Sequence, residues 1–86
     1  MNNRMKKTEI DHTKIYSSSE IIKILEAEGW QLYRVEGSHH QFKHPEKKGK
    51  VTVKHPDKNV PGPTAKSIWK QAGLYQPRPF RKEADS

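Results

Sequence analysis

The stretch Gly37-Ser38-His39-His40-Gln41-Phe42-Lys43-His44-Pro45 constrains this chain more than any other. Gly37 and Pro45 bracket it and argue against a helix, so residues 39–44 read as a strand. A strand needs partners to satisfy its backbone. Upstream, residues 30–36 (Trp-Gln-Leu-Tyr-Arg-Val-Glu) have the aromatic and β-branched content of a strand, with imperfect alternation. Downstream, residues 50–54 (Lys-Val-Thr-Val-Lys) alternate cleanly, which sends Val51 and Val53 to one face. Gly37-Ser38 and the charged segment Pro45 to Gly49 are the turns of an antiparallel meander.

Two amphipathic segments flank these strands. Ser17 with Glu20 three residues on fits the capping box, with Ser18 as the rival cap. Ile21, Ile22, Ile24, Leu25 and Ala27 then form an apolar stripe opposite Glu20, Lys23 and Glu26, and Gly29 supplies the left-handed residue that ends a helix over 18–28. The second segment, 63–72, places Pro63 at the first helical position, Ala65, Ile68, Trp69 and Ala72 on its apolar face, and Gly73 at its end. The fold class expected is therefore α+β: helix, three antiparallel strands, helix, with both helices on one sheet face and the other face polar. Ile21, Leu25, Phe42, Val51, Val53, Ile68 and Trp69 are the expected core. Residues 1–16 show no helical or strand period and are expected as a mobile arm, residues 17–74 as the domain, and 75–86, with Pro77 and Pro79 among charges, as a disordered tail.

Length and charge narrow the function. A chain of 86 residues makes one domain at most. At this size it buries only about 60% of its unfolded surface, which argues against a large internal active-site cavity. Seventeen Lys and Arg against ten Asp and Glu give a formal charge of +7, suited to a phosphate-rich, anionic-membrane or acidic-protein partner. Without cysteine there is no disulfide framework, thiolate nucleophile or Cys zinc site. No apolar run is long enough for a membrane span or a signal segment, so a cytoplasmic protein is the expectation.

With Phe42 turned inward, alternation sends His39, Gln41 and Lys43 to the open face and His40 and His44 toward the covered side or its rim. A histidine beside lysines is the minimum kit for cleaving RNA. Its imidazole exchanges protons near neutral pH, the RNA's own 2′-hydroxyl is the nucleophile, and ammonium groups offset the charge on the phosphoryl oxygens. Against this stands the structural reading, in which strand histidines of small basic proteins only pack or bond. On a strand His40 and His44 sit ~13 Å apart at about 3.3 Å per residue, too far to share one ion, so no metal and no cofactor is expected. Lys43, Lys47, Lys48, Lys50, Lys54 and Lys58 crowd one strand-turn-strand unit, and the outward Lys43, Lys50 and Lys54 are the best candidates for phosphate contact. Trp30 and Trp69 are expected to pack in the core rather than to stack on bases.

The pattern Glu20-Ile21-Ile22-Lys23-Ile24-Leu25, Gly29-Trp30, the block Gly37 to Pro45, Val51-Thr52-Val53, His55-Pro56, Ser67-Ile68 and Lys70-Gln71-Ala72-Gly73-Leu74 resembles the HicA-type messenger-RNA interferases, toxins of HicA/HicB toxin-antitoxin systems. The resemblance runs from about Ser18 to Leu74 and implies the fold of double-stranded-RNA-binding domains. It also implies endoribonuclease activity on mRNA and neutralisation by a HicB-type antitoxin that covers the site. The family's functional histidine directly follows Gly-Ser, so the carry-over falls on His39, with Gly37, Ser38, Lys43, Lys50 and Lys54 as the expected RNA contacts. The terminal arms and the proline-rich Pro61-Gly62-Pro63 depart from the family pattern. Two other readings stay open: a non-catalytic double-stranded-RNA-binding module, for which only Lys66 and Lys70 supply basic residues on the second helix, and a protein-interaction module that docks an acidic partner.

Overall fold

A computed structural model describes residues 10–75. The element order is α1 (Ser18–Ala27), β1 (Gln31–Glu36), β2 (His39–Lys43), β3 (Val51–Lys54) and α2 (Gly62–Gln71). The strands form one antiparallel sheet in the order β1-β2-β3.

Local chemistry sets both helix boundaries. At the start of α1 the Glu20 amide donates to the Ser17 hydroxyl, and the Glu20 carboxylate accepts from the Ser17 amide at 2.9 Å. Ser18 bonds across the fold instead: its amide donates to the Asp57 carbonyl at 2.7 Å, and its hydroxyl accepts from the Asp57 amide at 2.8 Å. These bonds tie α1 to the loop after β3 and bury Ser18 to 1% exposure. Both helices end in Schellman motifs. In α1 the Gly29 amide reaches the Glu26 carbonyl and the Trp30 amide the Leu25 carbonyl; in α2, Gly73 reaches Lys70 and Leu74 reaches Trp69. α2 begins one residue earlier than expected, at Gly62. Pro61 is its N-cap, with the Pro61 carbonyl accepting from the Ala65 amide at 2.9 Å, and Pro63 is the second helical residue rather than the first.

The β1–β2 hairpin turns on two residues, Gly37 and Ser38, between the paired Glu36 and His39. Gly37 has φ +59° while Ser38 stays at negative φ, the requirement of a type II′ turn with glycine at its first central position. The imperfect alternation of β1 is a β-bulge: Leu32 pairs with Phe42 and Arg34 with Gln41, so Tyr33 is the extra residue.

The expected core is present: Ile21, Leu25, Phe42, Val51, Val53, Ile68 and Trp69 are buried, joined by Tyr16, Trp30, Val60, Ala65, Ala72 and Leu74. Both helices pack on β3, and β1 overhangs them. Leu32 and Val35, which share a face with Phe42 and His40, are therefore 48% and 50% exposed.

Residues 10–16 differ from the mobile arm expected for them. Tyr16 is 7% exposed against Trp69, its carbonyl accepts from the Val60 amide, and its hydroxyl accepts from the Asp11 amide at 3.0 Å. Tyr75, expected to open the tail, donates its amide to the Trp69 carbonyl at 3.1 Å. The remainder of the expected arm and tail, residues 1–9 and 76–86, lies outside the described residues.

Candidate nucleic-acid interface

Register and turn chemistry assemble the open sheet face. His39 pairs with Glu36 on one side and Lys54 on the other, and Gln41 pairs with Arg34 and Thr52. The bulge turns Tyr33 to the same face, where its hydroxyl donates to Gln41 Oε1 at 3.0 Å. Lys50 Nζ donates to the same oxygen at 3.5 Å, and Lys43 Nζ lies 5.1 Å from the centre of the Tyr33 ring. Gln41 is thus a hub that holds an aromatic ring and an ammonium over the sheet. Glu36 is paired at 2.6 Å with Arg34, which leaves the lysines to set the sign of the face. Sequence reasoning placed Gln41 on this face but missed Tyr33, Arg34 and Glu36 as members of it. The signal was the broken alternation of residues 30–36, which the bulge explains.

The histidines have separate environments. The His39 ring is exposed and makes no hydrogen bond, ion pair or ring contact among the described residues. His40 faces the covered side, its ring 5.0 Å from that of His55 in an edge-to-face contact, with Nδ1 3.4 Å from the Ser38 carbonyl. His55 places Nδ1 2.7 Å from the Ser18 hydroxyl, and its amide donates to the Ser38 carbonyl at 2.8 Å, so Ser38 ties the hairpin turn to the end of β3. His44 Nε2 donates to the Glu28 carbonyl at 3.0 Å, and Nδ1 accepts from the Glu46 amide at 3.0 Å. Among the described residues no group of three or more His, Asp or Glu is placed to hold a metal ion.

A cleft of about 370 Å³ separates β3 from the start of α2, and His39 lines it together with Thr52, Lys54, Asp57, Pro61 and Thr64. Gly37 has open space around its Cα, and the backbone of the turn is accessible there. Of the expected RNA contacts, Lys43, Lys50 and Lys54 lie on the open face beside His39, the expected catalytic residue, with Gly37 and Ser38 in the turn at its edge. Lys47 is drawn elsewhere: its Nζ donates to the Ala72 carbonyl at 3.3 Å and caps α2.

A helix-strand-strand-strand-helix chain with both helices on one face of an antiparallel sheet is an α+β domain of the double-stranded-RNA-binding-domain-like class. The family model described as HicA toxin of bacterial toxin-antitoxin matches residues 18–74. The chain belongs to this family, and is the toxin of a toxin-antitoxin system with a cognate antitoxin as its partner. No curated protein matches it. No helix among the described residues is long and apolar enough to cross a membrane.

Proposed function

We propose that this toxin is an endoribonuclease of the cytoplasm that cleaves mRNA, with His39 as the general acid/base. One observation carries the reading: His39 is exposed and unbonded on the open face, cross-strand from Lys54 at the mouth of a cleft. RNA carries its own nucleophile, so the site needs a group that takes the 2′-hydroxyl proton and cations for the phosphoryl oxygens. The His39 imidazole serves the first need. Lys54, with Lys43 and Lys50 along the face, serves the second and holds the flanking phosphates. The side-chain-free Gly37 and the Ser38 backbone let a phosphodiester come close to the turn. This chemistry draws on no cofactor.

The antitoxin in this reading is of the HicB type and covers His39 and the adjacent lysines, because a small exposed site is blocked directly by occlusion. The test is RNA cleavage by the purified chain beside His39→Ala, with growth arrest and RNA integrity scored on expression in a bacterial host. Cleavage lost in a folded His39→Ala chain that still binds RNA is the expected result. Wild-type cleavage by that variant, or loss of activity on His40→Ala alone in a folded protein, would assign the chemistry to another residue.

A further inference from the structure

The segment 10–16, which lies outside the family match, and α2 enclose a second cleft of about 360 Å³ on the other side of the start of α2. Its wall is firmly built. The Asp11 amide is held by the Tyr16 hydroxyl, the Asp11 carboxylate takes both the Thr13 hydroxyl at 2.6 Å and the Thr13 amide at 2.9 Å, and Tyr16 is in the core. Those Thr13 bonds, with Lys14 and His12 nearby, hold the Asp11 carboxyl below its ordinary range, so the acid is ionised and already engaged. Inside the cleft the Tyr75 ring meets His12 edge-on at 5.0 Å, and two ammonium groups, that of Lys66 in the lining and that of Lys70 outside it, lie 5.3 Å from the ring centre. Lys14 pairs with Glu20 at 3.3 Å, whereas Lys66 and Lys70 have no carboxylate partner among the described residues.

We propose that this cleft is a second RNA subsite that takes one unpaired nucleotide, its base against Tyr75 and its phosphates on Lys66 and Lys70. The proposal rests on the reading of the chain as RNA-binding. Clefts of this volume suit a small ligand, and a half-buried aromatic ring beside unpaired ammonium groups is the arrangement by which single strands are held without sequence preference. The lysines now over the ring exchange a cation–π contact for a phosphate when the base arrives. An acidic peptide needs the lysines but not a slot beside a ring, which is why RNA fits better. The two clefts share the first turns of α2: Pro61 and Thr64 line the one with His39, and Gly62, Pro63 and Lys66 line this one. A strand anchored at Tyr75 and crossing the start of α2 thus arrives at His39.

The experiment measures affinity of the full chain, in a His39→Ala background that cannot cut, for a ten-nucleotide single strand and for a blunt RNA duplex. Tyr75→Ala is expected to weaken the single strand about 10-fold, the range of one lost stacking contact, and to leave the duplex unchanged. Tyr75→Phe restores the single-strand affinity, and the exposed Lys66→Glu weakens both forms. Unchanged single-strand affinity in both Tyr75→Ala and Lys66→Glu, while Lys54→Glu still weakens it, overturns the subsite and leaves the sheet-face reading standing. If the chain carrying only His39→Ala binds neither RNA, the RNA reading itself fails and the subsite with it. Weakened capture of the antitoxin by Tyr75→Ala, with RNA affinity intact, reassigns the cleft to the protein partner and overturns the proposal.

Discussion

His39 opens β2 and His44 directly follows its last residue, and the two have different surroundings. His44 bridges the Glu28 carbonyl and the Glu46 amide and packs edge-on against Trp30 at 5.3 Å. In those two bonds Nε2 is the donor and Nδ1 the acceptor. Truncation removes both bonds and the ring packed on Trp30, so His44→Ala is expected to cost about 1–3 kcal/mol, measured by urea unfolding. His39 has no such bonds, and His39→Ala is expected to keep the melting temperature while cleavage falls ~10² to 10⁴-fold, as for loss of an acid-base group. A folded His44→Ala chain with full stability would remove the structural assignment. A third test concerns Glu20, whose carboxyl lies below its ordinary value of 4.5, chiefly because the Ser17 amide donates to it and secondly because of Lys14. A depressed carboxyl contributes stability that is present above the unfolded value and lost as pH falls through the folded one. Glu20→Gln, whose amide oxygen still accepts from Ser17, should therefore be less stable than wild type at pH 7. The difference should close at pH values below the ordinary carboxylate range, and a gap that persisted there would locate the effect outside the charge.

Two glycines end the two helices in the same conformation but not in the same surroundings. Gly29 has φ +96°, and a Cβ on it would lie 2.8 Å from His44 Nε2, whereas Gly73 has φ +74° and a Cβ there would meet only the Lys47 ammonium at 3.6 Å. Either alanine incurs the left-handed penalty of roughly 1–2 kcal/mol. Only Gly29→Ala must also displace the ring that bonds the Glu28 carbonyl, so it is expected to be the more destabilising by about 1 kcal/mol or more, read from paired urea titrations. Equal costs would mean that His44 moves aside freely. Much of this was legible in the chain: Ser17 with Glu20, Gly29, Gly73 and the alternating Val51 and Val53 are local signals, and local signals act within a turn or two. The same holds for the outward side of His39, which follows from Phe42 alone. What was not legible depends on contacts distant in sequence. Tyr16 looks like an isolated aromatic in a polar arm, and only the closing of α2 against it creates its pocket. The bulge at Tyr33 inverts the parity of Arg34 and Glu36, and nothing local to residues 30–36 says which residue is the extra one. The early start of α2 comes from Pro61, whose fixed φ suits an N-cap as well as a first turn.

Charge is distributed over the molecule with a division of labour that a salt titration separates. Lys43, Lys50 and Lys54 project from the open sheet face, while Lys47, close to them in sequence, turns back to the Ala72 carbonyl. A lysine that neutralises a phosphate releases a condensed counterion, which makes the affinity fall with salt by about 0.7 in the log-log slope for each contact on a single strand. Lys54→Gln should thus reduce both the affinity for an RNA single strand and the slope, by roughly that amount, with the unfolding midpoint unchanged because its ammonium caps nothing. Lys47→Gln should do the reverse. It loses a bond to a helix C-terminus, worth about 0.5–1.5 kcal/mol, and leaves the slope as it was. Net charge changes equally in the two variants, so a mere field effect of the whole protein would shift both affinities alike. A slope that falls in Lys47→Gln as much as in Lys54→Gln would show that RNA is gathered by the diffuse charge of the chain and not by the face that presents His39.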